Sequence, residues 1–405
     1  MKRIMKGLDK FISYHEALKR IDLKLNIEKE EIKIEDSLNR IAAVDIISNN
    51  FLPEKNKSAV DGYAIISDDT ISASEENPAR LKIKHSIRPG ESPGSISDGE
   101  CVEIYTGACI PINANAVVKV EDTKNINDLL FVYRYVQAGK NIFKIGEDIS
   151  PGFNIINKNS FIGPQHISAM FSINIDKIIV YKKIRICIIN TGDEVYYGSI
   201  RNSTGYLLKF FYSLPYINVK DPIVCRDNDK EIENAINENI NKCDIMIITG
   251  GSSLGRYDLT TDILSKLGKC IFSGVAIKPG RTVSLFNLNN IPVISCSGLP
   301  VAALLSSYFI ISKIMKNTFN INIEKPVFGR ISTNVSNSIG FTKFQICRAY
   351  ISNGNLLIEP LKTTGSGLIS SIINGNSFII LDDNIEGIEK DSMVKAYMIG
   401  DMKWE

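Results

Sequence analysis

Residues 244–268, DIMIITGGSSLGRYDLTTDILSKLG, constrain the fold more than any other stretch of the chain. The run from Asp244 to Thr249 is apolar without alternation, which predicts a strand buried on both faces. It enters Gly250-Gly251-Ser252-Ser253-Leu254-Gly255, whose glycines permit positive φ and close backbone approach to a ligand. Asp258 follows, then Thr260 or Thr261 as a helix N-cap, a helix through Leu267, and Gly268 as its stop. Strand, glycine loop, carboxylate and helix start in this order suit an anion or metal–phosphate site at the carboxyl end of a sheet strand. The loop lacks the Lys-Ser/Thr of a P-loop and the spacing of a dinucleotide fingerprint, so taken alone it suits a plain strand-to-helix turn equally well.

The same logic extends through 180–318. Strands are predicted at 184–190, 271–277 and 291–296, with helices at 207–214, along the stripe Ile232, Ala235, Ile236 and Ile240, and from Val301 onward. Strands alternating with helices imply right-handed crossovers and a mostly parallel, doubly covered sheet. On either side the pattern changes. Ser13-Tyr14-His15-Glu16 reads as a capping box opening a helix with Ala17, Leu18, Ile21 and Leu25 on one face, and a second helix is expected over 34–44. From about 48, short strand-like runs at 64–66, 81–87, 101–105, 116–120, 129–136 and 141–145 indicate a small β domain; 166–171 is helical again. Beyond 326, runs at 329–335, 343–351, 356–359, 378–381 and 393–398 predict a second small sheet or barrel. One local theme recurs: a Thr-Gly pair closes an apolar run at 106–107, 191–192 and 249–250.

With 405 residues, two to four domains are expected. The 47 basic and 45 acidic side chains nearly cancel to a net charge of +2, which gives no electrostatic case for nucleic acid or an anionic membrane as partner. The charged N-terminus has no apolar core of a secretory signal, and 301–311 is too short to span a bilayer, so a cytoplasmic location is expected. Eight scattered cysteines form no Cys-x-x-Cys pair, and three distant histidines give zinc or haem little support; a metal here would be hard and oxygen-ligated. Asp61, Asp148, Asp193, Glu194, Asp227 and Asp258 stand in or near turns, where they suit Mg²⁺ bridging a phosphate or simple turn capping. Lys278 and Arg281 flank Pro279-Gly280 after another strand, where they could hold an anion or be a solvated pair.

The ordered set Ser58-Ala59-Val60-Asp61-Gly62-Tyr63-Ala64, Tyr105-Thr106-Gly107-Ala108, Gly146-Glu147-Asp148, Thr191-Gly192-Asp193-Glu194, the glycine loop with Asp258, and Ala276-Ile277-Lys278-Pro279-Gly280 resembles the molybdopterin molybdenumtransferase family (bacterial MoeA and the gephyrin E-domain) over nearly the whole chain. The resemblance implies an α/β and β multidomain homodimer. Its domain I would be helical (1–47 with 147–178), its domain II a β insertion (48–146), its domain III a MogA/MoaB-like doubly wound, mostly parallel α/β unit that binds molybdopterin (179–322), and its domain IV a β-barrel (323–405). It further implies Mg²⁺-dependent insertion of molybdate into adenylylated molybdopterin, with release of AMP, in a domain III cleft completed by domains II and IV across the dimer. Asp61, Thr106, Glu194, Asp258 and Lys278 would be catalytic, with Asp61, Glu194 and Asp258 toward Mg²⁺. Asp148, Asp227, Gly250, Gly251, Ser252, Gly255, Arg281, Pro300 and Ser366 would bind substrate. Molybdopterin adenylyltransferase and molybdoenzyme maturation factors would be partners. The chain departs from the family pattern at Asn202-Ser203-Thr204, where Asp-Ser/Thr-Asn is usual, in the Ser295-Cys296-Ser297-Gly298-Leu299-Pro300 loop, at Arg281 in place of lysine, and at Ile346, where an arginine is expected, with Arg348 two residues on. Two other readings stay open: a catalytically impaired scaffold or chaperone for cofactor delivery, and a stand-alone enzyme that adenylylates molybdopterin.

Overall fold

The computed structural model describes residues 11–250, 259–361 and 369–404. Its first helix, Tyr14–Arg20, is capped as expected: Ser13 Oγ accepts from the Glu16 amide at 3.1 Å. The reciprocal half of the box is replaced, because the Glu16 carboxylate accepts from Arg20 Nε one turn on at 2.9 Å. Ile21 and Leu25 continue the buried side, but from the chain beyond the helix. The helix expected over 34–44 is not formed. Only a 3₁₀ turn, Ile34–Asp36, appears, after which Asn39 takes a φ of 58° and donates its amide to Ile162 O. Ile41 and Ala42 then make isolated bridges to Phe161 and Val180, so their burial is earned by cross-strand pairing rather than by a helical face.

Lys29–Lys33 pairs with Lys177–Tyr181, and Ile46–Ile47 with Asn154–Ile156, both antiparallel. The helix Pro164–Ser172 closes over them on a core that includes Ile34, Ile46, Ile156, Ile162 and Met170. The chain therefore leaves this unit near 47 and returns to it near 154. In between lies a six-stranded sheet in the order Ala116–Lys119, Gly62–Ile65, Glu100–Ile104, Ala79–Ile87, Leu129–Val132, Thr123–Ile126. It carries its own apolar layers on both faces.

The central sheet runs Ile217–Val219, Ile184–Thr191, Ile245–Thr249, Ile291–Cys296, Ser284–Leu288, Lys269–Ser273. The first four strands are parallel, as is Ile223–Cys225 beside the end of Ile184–Thr191, whereas Ser284–Leu288 runs antiparallel to both its neighbours, Ile291–Cys296 and Lys269–Ser273. Helices Ser203–Tyr212 and Pro300–Phe319 pack together on one face, and Asp229–Asn239 and Leu259–Leu267 on the other. Ile245–Thr249 is buried at every position, which explains its lack of alternation. The last of these helices begins at Leu259, so Thr260 lies inside its first turn rather than capping it. Ser284–Leu288 was not expected. The signal for it is Asn289-Asn290, a two-residue connection with φ of 51° and 67° joining two apolar runs as a hairpin.

Five strands close the C-terminal barrel: Thr342–Ser352 pairs Asn355–Pro360, which pairs Pro326–Ile331, then Met393–Met398, then Ser377–Leu381, which pairs back to Thr342–Ser352. The short helix Ile369–Asn374, not expected, lies before the Ser377–Leu381 strand. Pro300–Phe319 is buried at nearly every position because it lies between the sheet and the barrel. Tyr308 meets the Phe378 ring edge-on at 5.6 Å, and Phe309 stacks on Phe344 at 6.2 Å. Ile310→Ala, at a fully buried position of this helix, is expected to cost about 2–5 kcal/mol, since a cavity there has layers packed on several sides. Chemical denaturation that shows a change below about 1 kcal/mol would contradict that packing. Among the described residues no helix is long and apolar enough to cross a membrane.

Candidate functional site

The parallel strands Ile184–Thr191, Ile245–Thr249 and Ile291–Cys296 bring their carboxyl ends together, the place where open α/β sheets receive ligands. Their register sets Asn190 directly beside Thr249. Asn190 Nδ2 donates to Thr249 Oγ1, and Asn190 Oδ1 accepts from Asn202 Nδ2 at 2.8 Å. Asn202 Oδ1 in turn accepts from the Gly205 amide at 2.9 Å and caps Ser203–Tyr212. Thr204 Oγ1 donates to Gly298 O at 2.6 Å, tying that helix start to the loop before Pro300, the first residue of Pro300–Phe319. Gly250 N donates to Cys296 O at 3.3 Å. Two of the departures from the family pattern, the Asn202 turn and the 295–300 loop, are thus joined by hydrogen bonds into one strand-end platform. Among the described residues the hydroxyls of Thr191, at the end of Ile184–Thr191, of Ser295 in Ile291–Cys296 and of Thr260 in the first turn of Leu259–Leu267 are buried without a hydrogen-bond partner. Buried polar atoms of this kind are seldom left unmet.

The recurring Thr-Gly pairs share a conformational cause. Gly107, Gly192 and Gly250 have φ of 85°, 143° and 100°, so each lets the chain turn sharply off a strand end.

Beside the platform, Asp193 and Glu194 open the short helix Asp193–Tyr196, and Asp227 follows Ile223–Cys225. The Asp227 amide donates to Asp193 Oδ1 at 3.2 Å. Partial burial raises the Asp227 carboxyl above the usual aspartate range, and the charges of Asp193 and Glu194 raise it further. A cation at this strand end would relieve that crowding. The donors are hard oxygens, right in kind for Mg²⁺, although among the described residues no group of three or more His, Cys, Asp or Glu could hold a metal by itself. Mg²⁺ held by one or two carboxylates and substrate phosphates needs no such cage.

Lys278 ends the strand Ile277–Lys278, which adds in parallel to Thr342–Lys343 and joins the α/β part of the chain to the barrel. Its Nζ lies 4.1 Å from the centre of the Phe341 ring. Arg281 is exposed in the following turn, and Asp148 is exposed in the turn that returns from the β insertion. Ile346 is buried in the apolar cluster between barrel and sheet. Arg348 faces Glu359 at 3.9 Å and the Tyr350 ring at 5.1 Å.

Asp61 and Thr106 form a separate pair in the six-stranded sheet, each in a turn beside a strand end. Asp61 Oδ1 accepts from both the amide and the hydroxyl of Thr106, each at 2.7 Å. The amide, and after it the hydroxyl, holds the Asp61 carboxyl below the usual aspartate range. A depressed carboxyl stabilises the fold above the unfolded pKa, and that contribution fades as pH falls through the lower folded value. Thr106→Val keeps the amide and removes the hydroxyl. Carboxyl-carbon NMR should then show Asp61 titrating closer to the ordinary value yet still below it; an unchanged titration would contradict the hydroxyl's part.

The structure thus brings together Gly250, Pro300, Glu194 and Asp227 at one sheet end, sets Lys278 at the seam with the barrel, and pairs Asp61 with Thr106. Among the described residues no hydrogen bond or ion pair joins Asp61 or Thr106 to the strand-end group. Gly251, Ser252, Gly255, Asp258 and Ser366 lie outside the described residues. Sequence reasoning missed Asn190 and Thr249, which only the strand register makes neighbours.

Comparison with known proteins covers the chain almost end to end. Residues 12–173 match the MoeA N-terminal region (domain I and II), 187–317 a probable molybdopterin binding domain, and 329–399 the MoeA C-terminal region (domain IV). A Methanocaldococcus jannaschii protein named for molybdopterin biosynthesis is 33% identical over 389 residues, 92% of this chain and 93% of its own. The molybdopterin molybdenumtransferase of Bacillus subtilis is 29% identical over 409 residues, 96% of this chain and 94% of its own. The crystal structure of a molybdopterin biosynthesis MoeA protein from Pyrococcus horikoshii superposes with a TM-score of 0.84 at 27% identity, covering 97% of this chain and all of that one.

Proposed function

The chain belongs to the MoeA family, a transferase family of molybdenum cofactor biosynthesis, and from that premise we propose that it inserts molybdate into adenylylated molybdopterin with Mg²⁺-dependent release of AMP. The observation that carries this reading is the strand-end platform. It joins glycine backbone and a capped helix start at the strand ends, with the crowded carboxylates Asp193, Glu194 and Asp227 beside them. Such a surface receives a nucleotide phosphate on its amides and helix start. Lys278 and Arg281 hold the second anion, molybdate, by charge. Glu194 and Asp227, with Asp258 as a further ligand, would hold Mg²⁺, which would neutralise phosphate charge on the leaving AMP. Two thiolates of the substrate capture molybdenum, which accounts for a site that uses none of the eight cysteines, seven of them partly or fully buried.

In this reading residues 1–47 with 147–178, 48–146, 179–322 and 323–405 are the four domains, and the protein works as a cytoplasmic homodimer. Asp61 and Thr106 of one subunit meet the strand-end platform of the other, which gives a role to a pair that stands apart within one chain. Asp61, ionised below the ordinary range, receives no proton at neutral pH in its resting state and orients the Thr106 hydroxyl toward substrate oxygen. Upstream, an adenylyltransferase acting on molybdopterin supplies the substrate, and maturation factors of molybdoenzymes take the product. The neutral Asn202 turn is the feature that favours the scaffold alternative. Its anchoring by Asn190 and Gly205 favours catalysis instead, because the asparagine amide donates a bond that an aspartate could not. The test is the pterin product: incubation with adenylylated molybdopterin, Mg²⁺ and molybdate should yield a molybdenum-loaded pterin that activates a metal-free molybdoenzyme. A pterin that stays metal-free would sink the proposal.

A further inference from the structure

Lys278 and Lys343 face each other in register across the seam where Ile277–Lys278 joins the barrel strand Thr342–Ser352. Both are half-buried. Lys343 Nζ donates to Ser336 O at 2.9 Å, which leaves two of its three N–H groups without an acceptor among the described residues. Lys278 rests its charge against the Phe341 ring, a face that attracts a cation but accepts no directed hydrogen bond of ordinary strength. Among the described residues neither lysine belongs to an ion pair, and neither does Arg281. Burial holds the Lys343 ammonium below the usual lysine range, and the charge of Lys278 depresses it further. Two half-buried lysines paired in register, the charge of one acting on the other, with donors to spare and no ion-pair partner among the described residues, are paired most simply by an anion that presents several oxygens at once. Arg348, the other basic side chain of this strand beyond Lys343, faces Glu359 and Tyr350.

We propose that Lys343 is an oxyanion-binding residue of the site, gripping from the barrel the same tetrahedral dianion that Lys278 grips from the α/β sheet. This rests on the transferase reading and extends it, since the barrel then contributes a specific ligand rather than only a wall. Two dianions of this shape occur in the proposed reaction, molybdate and the phosphate of the nucleotide, and they can be told apart.

The experiment uses the full-length protein and the variants Lys343→Gln and Lys343→Arg, titrated calorimetrically with sodium molybdate in the presence of AMP and, separately, with AMP alone. Loss of one charge-assisted contact should weaken binding by about tenfold in Lys343→Gln. Lys343→Arg should recover most of that loss, and the thermal midpoint should not move. Weakening confined to molybdate assigns the seam to the metal oxyanion, and weakening confined to AMP assigns it to the nucleotide phosphate; either supports the ligand role. Unchanged titrations overturn it. So do a loss that Lys343→Arg fails to recover together with a lowered midpoint, and a wild-type protein that binds neither anion. Wild-type protein that binds molybdate but forms no loaded pterin sinks the transferase reading and leaves the lysine pair standing. Wild-type turnover with unaltered Lys343→Gln titrations sinks the pair alone.

Discussion

Asp61→Ala is expected to lower molybdate-dependent turnover by about a hundredfold or more while leaving the thermal midpoint nearly unchanged. The size of the loss follows from position. Asp61 is exposed, carries a depressed carboxyl and fixes the Thr106 hydroxyl with one oxygen, so its other oxygen is free of any bond among the described residues. Such a carboxylate supports little packing; when it is removed, the Thr106 amide and hydroxyl turn to water. A variant that unfolds at lower temperature in step with its lost activity would show that the pair is structural. Asp61→Asn separates the two roles further. It can keep the acceptor oxygen for Thr106 and lose the charge, so activity should fall almost as far as in the alanine variant. Mixing inactive Asp61→Ala with an inactive Lys278→Ala variant should restore activity in mixed dimers if the two residues serve one site from different subunits.

Gly250→Ala is expected to damage both stability and substrate binding. Gly250 has a φ of 100°, and a Cβ there would sit 2.2 Å from Thr191 O and 2.8 Å from Thr191 Oγ1. The carbonyl is backbone of the neighbouring central strand and cannot give way without disturbing the sheet. Backbone strain together with this overlap should cost about 3 kcal/mol or more. The displacement falls where Gly250 N meets Cys296 O and where a Cβ added to Gly298 would already lie 3.5 Å from Gly250 Cα, so the strand-end platform opens as a whole. Differential scanning calorimetry should record a clear fall in midpoint, and AMP titration a loss of affinity beyond that of a stability-matched variant such as Ile310→Ala. Gly250→Ala with wild-type midpoint and affinity would mean that the loop turns elsewhere.

The central sheet was legible because its strands are enclosed on both faces, and an unbroken apolar run such as Ile245–Thr249, ended by Gly250-Gly251, has no other use in so short a segment. The Ser13 cap was equally plain. Over 34–44 the reading failed for a definable reason: Ile34, Leu38 and Ile41 fall at helical spacing, yet Leu38 is exposed and Asn39 turns left-handed, so the periodicity is accidental. The site was half legible. Carboxylates in turns can be picked out one at a time, but the Asn190–Thr249 bond joins residues 59 apart in sequence. Lys343 became visible beside Lys278 only through the parallel pairing of a two-residue strand with the barrel. Register between distant strands carries no local pattern, and these contacts were lost for that reason.

The most direct measurement is AMP release by the purified protein from adenylylated molybdopterin, followed with and without molybdate and Mg²⁺. Release that requires both, in step with the appearance of molybdenum-loaded pterin, is the predicted result. AMP release that proceeds equally without molybdate, or substrate that binds and is never cleaved, would contradict the assignment of molybdate insertion to this site.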